Sequence, residues 1–94
     1  MRVRLMGVLR NLSGRASLEI EIGEDGTVAQ VVKKLVDLVG RTEFAAAIVD
    51  RDLNDPTVNT LIIVNNKDIS ALDGVKTQVK NTDEMVLIPI SHGG

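Results

Sequence analysis

Residues 85–94 read Met85-Val86-Leu87-Ile88-Pro89-Ile90-Ser91-His92-Gly93-Gly94. The apolar run predicts a strand over residues 85–90, and the small and polar residues after it predict a short tail. We therefore expect a folded domain over residues 1–90 and a flexible tail over residues 91–94. Glycine has no Cβ and accepts any φ, so a terminal diglycine suits insertion into a narrow channel of another protein. This ending is typical of a carboxylate that a partner activates, and a frayed terminus is the alternative reading.

The first part of the chain alternates apolar and polar residues. Residues 2–9 and 18–22 each place apolar side chains at every second position, which predicts two strands. Ser13-Gly14 between them is a turn signal. The sequence therefore predicts an antiparallel hairpin with a short connection.

A helix is predicted over residues 28–39. Thr27 and Gln30 fit a capping box, apolar residues recur at helical spacing, and Gly40 suits the residue that closes a helix. A shorter helix is predicted over residues 43–49, with Thr42 as its cap. We expect the main helix to pack against three strands through the following residues: Val31, Leu35 and Leu38 against Val3, Leu5, Ile20 and Leu87.

The second half of the chain reads as a loop over residues 50–60 and a strand over 61–64. A turn over 65–68 leads into a minor strand at Ile69, and turns near 73–74 and 81–84 precede the final strand. This order of strands and helices predicts a two-layer α+β domain. The first and last strands should lie side by side and parallel in the centre of the sheet. The main helix supplies the crossover that a parallel pair needs, and both strands are strongly apolar.

Composition limits the classes of function. The chain has 94 residues, enough for one small domain, and a net charge of −2 with a single aromatic residue, Phe44. A nucleic-acid partner is not expected, because there is neither a basic stripe nor an aromatic stacking platform. No apolar segment approaches the length of a membrane span or a signal peptide, so we expect a cytoplasmic protein without a membrane partner. The absence of cysteine excludes disulfides and thiolate metal sites.

No metal site is expected either. Asp50, Asp52 and Asn54 have the spacing of the first ligands of a calcium loop, but Asp55 and Leu61 occupy the positions that require glycine and glutamate. His92 is the only histidine, and one histidine without partners does not make a metal site. A solvated acidic loop and an exposed spacer are the simpler interpretations.

An apolar strip is predicted beside the tail. If Met85 and Leu87 point to the helix, the alternate residues of the last strand point away from it, together with two residues of the first strand. The strip then consists of Met6, Val8, Val86, Ile88 and Ile90. Uncovered apolar strips usually mark a partner site. The alternatives are that the alternation is misread or that the second helix covers these residues.

The order of elements, together with specific segments, resembles the MoaD/ThiS family of ubiquitin-like sulfur carriers. The similarity is closest to the small subunit of molybdopterin synthase. The segments are Leu9-Arg10-Asn11-Leu12 after the opening strand, Val64-Asn65 before a hairpin, and residues 83–94 with their proline and diglycine. The resemblance implies a ubiquitin-like β-grasp fold, a mixed sheet with one main crossing helix.

The resemblance also implies a protein co-substrate, not an enzyme. An E1-like enzyme would use ATP to adenylate the Gly94 carboxylate, and a persulfide sulfur would convert it to a thiocarboxylate. The carrier itself would bind no cofactor. Gly93 would let the tail enter both partner sites, and partner contacts are expected from the following residues: Met6, Val86, Ile88, Ile90, Ser91 and His92.

Several recipients of the sulfur are compatible with this family. The molybdopterin synthase large subunit is the first expectation, although Ile88 and Ile90 stand where that branch often has an aromatic residue and a second proline. Related carriers serve tRNA thiolation or thiamin synthesis, or are conjugated to lysines of other proteins. A β-grasp binding module with an inert tail is a further alternative.

Overall fold

Five strands form one sheet in the computed structural model, which describes residues 1–49 and 55–90. The strands are β1 (Arg2–Leu5), β2 (Ser17–Glu19), β3 (Thr60–Val64), β4 (Lys67–Asp68) and β5 (Glu84–Pro89). The helices are α1 (Gly7–Ser13), α2 (Val28–Val39) and α3 (Thr42–Ile48), and short 3₁₀ turns lie at Pro56–Val58, Ile69–Ala71 and Gly74–Lys76. The mixed sheet with α2 crossing it is the predicted ubiquitin-like β-grasp.

The sheet order is β2-β1-β5-β3-β4. β1 and β5 are parallel, with Val3 opposite Met85 and Leu5 opposite Leu87. The pairs β1–β2, β3–β4 and β3–β5 are antiparallel. The prediction that the first and last strands are parallel neighbours in the centre of the sheet is confirmed.

Local sequence signals fix the two ends of α2. Thr27 Oγ1 accepts the Gln30 N–H at 3.4 Å, and Gln30 Oε1 accepts the Thr27 N–H at 3.2 Å. This is the predicted capping box, which satisfies two donors that a helix start leaves unpaired. At the other end Gly40 adopts a left-handed φ of 66° and donates its N–H to Val36 O at 3.0 Å.

The core lies between the sheet and the helices. Its members from α2 are Val28, Val31, Val32 and Leu35, and they share one buried cluster with residues of the strands, including Val3, Leu5, Ile20, Met85 and Leu87. The predicted packing of Val31 and Leu35 is therefore confirmed. The prediction for Leu38 is wrong, because this side chain is 56% exposed. Leu38 has helical spacing with Leu35 but lies in the last turn of α2, where it is left in solvent.

The connection between β1 and β2 is a helix, not the predicted short link. The strand predicted over residues 2–9 ends at Leu5, because Gly7 has a φ of 53°, a left-handed value outside the strand region. From Gly7 the chain forms α1, which buries Leu9 and Ser13 one turn apart and is capped by Gly14, whose φ of 73° is left-handed. The alternation of apolar residues through Leu9 was therefore accidental.

Several other predicted boundaries move by a few residues. β2 ends at Glu19, although Ile20 and Ile22 beyond it remain buried as predicted. α3 starts at Thr42 with Arg41 as its N-cap residue and no side-chain cap bond, so the predicted cap by Thr42 is wrong. The turn predicted over residues 65–68 is confined to Asn65-Asn66, both at positive φ, and β4 follows it. β5 begins one residue earlier and ends one residue earlier than predicted.

Candidate functional site

The end of β5 is held on both sides by backbone hydrogen bonds. Met6 donates its N–H to Leu87 O at 3.1 Å, and Ile90 donates its N–H to Asn59 O at 2.9 Å. The first bond continues the β1–β5 pairing past Leu5, and the second continues the β5–β3 pairing. The central strand β5 is therefore bonded as far as Leu87 on the side of β1 and as far as Ile90, the residue before the tail, on the side of β3.

Pro89 closes β5 against the start of α1. A Cβ built on Gly7 would lie 3.0 Å from Pro89 Cγ, so any larger residue there would push the proline ring back by a few tenths of an ångström. Ile90 directs its N–H toward β3. Successive residues of a strand direct their backbone nitrogens to opposite sides, so the nitrogen of Pro89 faces the side of β1. β1 has already ended on that side, and a proline leaves no unpaired donor there.

An apolar patch covers the outward face of β3 and β5. Val86 stands opposite Ile63, and Ile88 stands opposite Leu61. The side chains of directly opposite residues lie on the same face of a sheet, and all four are half-buried. We call Leu61, Ile63, Val86 and Ile88 the sheet patch. It points away from the core, which takes the alternate residues of both strands.

Charged residues border the sheet patch on the side of β1 and β2. Arg4 stands opposite Val86, and its guanidinium lies 3.9 Å from the Glu84 carboxylate. Arg2 lies 3.4 Å from Glu19. All four side chains are exposed, so these ion pairs contribute little stability. The outward face thus changes from charged to apolar along β5, and the apolar end is the end that precedes the tail.

The structure brings together four of the predicted site residues. Val86 and Ile88 belong to the sheet patch, while Met6 and Ile90 flank the end of β5 with exposures of 42% and 40%. Val8 was predicted on the same strand face, but it lies in α1 and is 48% exposed. The alternative in which the short helix covers the strip is wrong, because α3 packs against α1 and α2.

The remaining predicted site residues are not among those that the structure describes. Ser91, His92, Gly93 and Gly94 lie outside the described residues, as do the acidic positions Asp50, Asp52 and Asn54. Within the described residues, no group of three or more His, Asp or Glu side chains is arranged to hold a metal ion. None of the described helices has the length and apolar character needed to cross a membrane.

Leu61 and Ile63 are the part of the patch that the sequence interpretation missed. They lie in the continuous apolar run Leu61-Ile62-Ile63-Val64, in which alternation between two faces cannot be seen. A strand always exposes every second residue to its other face. Applying that period of two to the run, with Ile62 and Val64 inward, would have identified both residues.

One carboxyl group outside the patch has a perturbed pKa. Thr57 donates its hydroxyl at 2.7 Å and its N–H at 2.9 Å to Asp55 Oδ1. These two hydrogen bonds favour the charged carboxylate and hold the pKa of Asp55 below its ordinary value. The contact caps the 3₁₀ turn at Pro56–Val58 and is explained by that structural role.

Comparison with known proteins gives one family. The sequence model of the ThiS family matches residues 3–94. No curated protein sequence matches the chain significantly.

Solved structures share the fold over almost the whole chain. Small archaeal modifier protein 1 (SAMP1) from Methanosarcina acetivorans is 26% identical with a TM-score of 0.79, covering 99% of this chain and 94% of the other. SAMP1 from Haloferax volcanii is 19% identical with a TM-score of 0.81, covering 100% and 98%. The BexX/CysO complex from Amycolatopsis orientalis contains a chain that is 21% identical with a TM-score of 0.75, covering 99% and 98%.

The family match spans nearly all of the chain, including the strand that precedes the tail. The fold agrees with it, since a central β5 leads directly to a diglycine ending. The chain therefore belongs to the ThiS family of ubiquitin-like sulfur carriers.

Proposed function

We propose that this protein carries sulfur as a thiocarboxylate on Gly94. The observation that carries the proposal is the sheet patch at the end of β5, adjoining the residues that lead into the tail. A patch of this kind lets the folded body dock on an enzyme while the diglycine enters that enzyme's active site. Family membership supplies the chemistry to be expected there.

The reaction has three balanced steps. A carboxylate oxygen of Gly94 attacks the α-phosphorus of ATP on an E1-like enzyme, and pyrophosphate leaves. The terminal sulfur of a cysteine persulfide then attacks the acyl carbon, AMP leaves, and an acyl disulfide forms. A second thiol then attacks the cysteine sulfur of the acyl disulfide. A new disulfide forms between that thiol and the cysteine, and the thiocarboxylate leaves. This chain has no cysteine, so both sulfur groups come from partners.

The residues of the carrier present the Gly94 carboxyl group to the active site of a partner and do not catalyse the reaction themselves. Gly93 and Gly94 offer an uncrowded acyl carbon, because neither has a side chain. Ser91 and His92 span the distance between the body and the partner's active site. Four extended residues reach at most about 14 Å, so the body must dock close to the reaction centre. Val86 and Ile88 provide that docking surface together with Met6 and Ile90, and we add Leu61 and Ile63 to it.

We infer that the recipient is a sulfur acceptor such as the molybdopterin synthase large subunit. A second candidate is conjugation of Gly94 to lysines of other proteins. The likeness to a solved small archaeal modifier protein, at 26% identity, favours this second use. Sulfur transfer and conjugation to lysine both begin with the adenylate of Gly94. The same tail and the same sheet patch would therefore serve either reaction.

Mass spectrometry of the protein from its native cells tests the proposal. Replacement of one oxygen by sulfur at Gly94 is expected if the chain is a sulfur carrier. Gly-Gly remnants on lysines of other proteins would support conjugation. Finding neither product would indicate a binding module with an inert tail.

A further inference from the structure

β2 forms one edge of the sheet, and its outer side has no neighbouring strand within the described residues. Met1 and Ile20, just past the ends of β1 and β2, exchange two backbone hydrogen bonds of 2.8 Å each. Bonding direction alternates along an antiparallel pair, so the backbone N–H and C=O groups of Ser17 and Glu19 point away from β1. Both residues are exposed. An open edge of this kind can accept another extended segment.

The helix α2 runs beside this edge in the direction opposite to β2. Lys34 Nζ donates to Glu21 O at 2.9 Å, just after β2, and Arg41 Nη1 donates to Leu12 O at 3.0 Å, before β2 begins. Leu38 lies between Lys34 and Arg41 along the chain and shares a helix face with Lys34, four residues earlier. Leu38 is therefore alongside the middle of β2.

The exposure of Leu38 is explained by no contact within the described residues. At 56% it is the most exposed of their large hydrophobic side chains. Leu18, the middle residue of β2, is buried on the side of the sheet that α2 covers. A strand added to the edge would place one residue opposite Leu18, and directly opposite residues share a face. An apolar side chain at that position would pack against Leu38.

Arginines gather where β2 begins. Arg10 and Arg15 line one surface depression with Gly14, and the guanidinium of Arg41 lies 3.7 Å from the position that a Cβ on Gly14 would take. None of these three arginines forms an ion pair within the described residues, although the whole chain has a net charge of −2. Lys34 adds a positive charge at the other end of the edge. The edge therefore favours an acidic partner.

We propose that the edge of β2 binds an extended, apolar segment of a partner protein that carries acidic residues at one end. The segment adds a sixth strand to the sheet through the backbone groups of Ser17 and Glu19. One of its apolar side chains packs against Leu38, and its acidic residues lie among the arginines at the start of β2.

Charge distinguishes this occupant from a second copy of the chain. An antiparallel pairing of two β2 edges would set their α2 helices side by side and bring Lys34 of one copy toward Arg41 of the other. Like charges repel, whereas an acidic segment neutralises them. Glu19 does not supply the missing negative charge, because its carboxylate lies 3.4 Å from Arg2 on the outward face of the sheet.

The edge of β2 is separate from the surface proposed to dock the activating enzyme. β1 lies between β2 and β5, so a segment bound at the edge leaves the sheet patch and the tail free. This inference therefore goes beyond the carrier function and does not depend on it. A partner could hold the carrier at this edge while the tail is in use elsewhere.

NMR titration of the isotope-labelled full chain with synthetic peptides tests the proposal. The probe peptide is Val-Ile-Val-Ile-Asp-Glu-Asp-Glu, used in this order and in the reverse order. We expect a Kd below about 1 mM for one order, with slower hydrogen exchange at the amides of Ser17 and Glu19. A control peptide with lysine at the four acidic positions should bind at least about tenfold more weakly. Absence of binding by both orders, or equal binding by the lysine peptide, would overturn the proposal.

Matched variants test the three parts of the site. Ser17→Pro removes an outward N–H that β1 does not use, a position where an edge strand tolerates proline, and should weaken binding about tenfold. Leu38→Asp should weaken it similarly, while Leu72→Asp, another exposed leucine, should not. Arg15→Glu should also weaken binding, while Lys67→Glu, the same change of charge on β4 at the other edge of the sheet, should not.

Circular dichroism checks the fold of each variant. Unchanged affinity in folded Leu38→Asp and Arg15→Glu chains would overturn the site, even if Ser17→Pro failed to fold. Sedimentation equilibrium of the wild type without peptide tests the other occupant. Self-association that Leu38→Asp abolishes would assign the edge to a second copy of the chain and overturn the acidic segment.

Discussion

Pro89 lies so close to Gly7 that a single added methyl group on Gly7 would approach the proline ring to 3.0 Å. The first residue of α1 and the last residue of β5 thus lie directly against each other, on the side where β1 has ended. This contact between Gly7 and Pro89 matters in a carrier, because it helps to set the direction of the end of β5, and that direction decides where the tail starts.

Gly7→Ala should destabilise the protein by about 1–3 kcal/mol, the usual cost of a non-glycine residue held in a left-handed conformation. Urea denaturation measures the loss. Gly23→Ala is the matched control and should be nearly neutral, because a Cβ there meets nothing within 4 Å. Adding Pro89→Ala to Gly7→Ala should recover part of the loss, since it removes the ring atom that the new methyl group meets. If the changes in the free energy of unfolding of the two substitutions simply added, that would argue against a direct contact between Gly7 and Pro89.

Leu35→Ala should cost about 2–5 kcal/mol, because Leu35 is fully buried in the core and the cavity left behind cannot close completely. Leu38→Ala, three residues along the same helix, should change the free energy of unfolding by no more than about 0.5 kcal/mol. Chemical denaturation of the two variants gives the comparison. Equal losses would mean that the buried face of α2 is assigned wrongly.

Removal of Gly93 and Gly94 should leave the thermal midpoint almost unchanged, because glycines contribute no side chain to bury. The same deletion should abolish ATP-dependent adenylation, which pyrophosphate exchange measures. A control chain with both glycines replaced by alanine retains the carboxylate and should be adenylated more slowly than the wild type. Adenylation of the shortened chain at the normal rate would refute the assignment of Gly94.

Ile88→Asp should weaken binding to the activating enzyme and to the acceptor about tenfold or more, since it places a charge in the centre of the sheet patch. Ile88 stands opposite Leu61, so we also expect a modest loss of stability, about 1 kcal/mol. Circular dichroism checks that the fold is retained. Leu38→Asp, an exposed leucine on α2, serves as the control and should bind normally. Normal binding by a folded Ile88→Asp chain would leave recognition to the tail and the charged border.

The parts of the fold that the sequence predicted correctly are those with strong local signals. The capping box of Thr27 and Gln30 and the closing Gly40 fixed α2 to within a residue. The parallel pairing of β1 and β5 followed from two apolar strands joined by a helical crossover. These features depend on residues close in sequence or on a general rule of topology.

The errors arose where tertiary context decided the outcome. Gly7 can lie in a strand or at a left-handed bend, and no neighbouring residue in the sequence signals the bend that the structure shows. Leu38 has the helical spacing of a core residue, but at the end of α2 it is left exposed. The Leu61–Ile63 part of the sheet patch was hidden in a uniformly apolar run.

The parallel pairing of β1 with β5 has a consequence for synthesis of the protein. Arg2 is aligned with Glu84, so the centre of the sheet joins segments that are far apart along the chain. Pairing of such distant segments must overcome a large loop-closure entropy, which slows folding. β5 lies between β1 and β3, so the sheet is incomplete until the last strand has been made. Half of the sheet patch lies on β5, so completing the sheet also completes the patch. If the patch docks the activating enzyme as we propose, a chain that still lacks β5 would not compete for that enzyme.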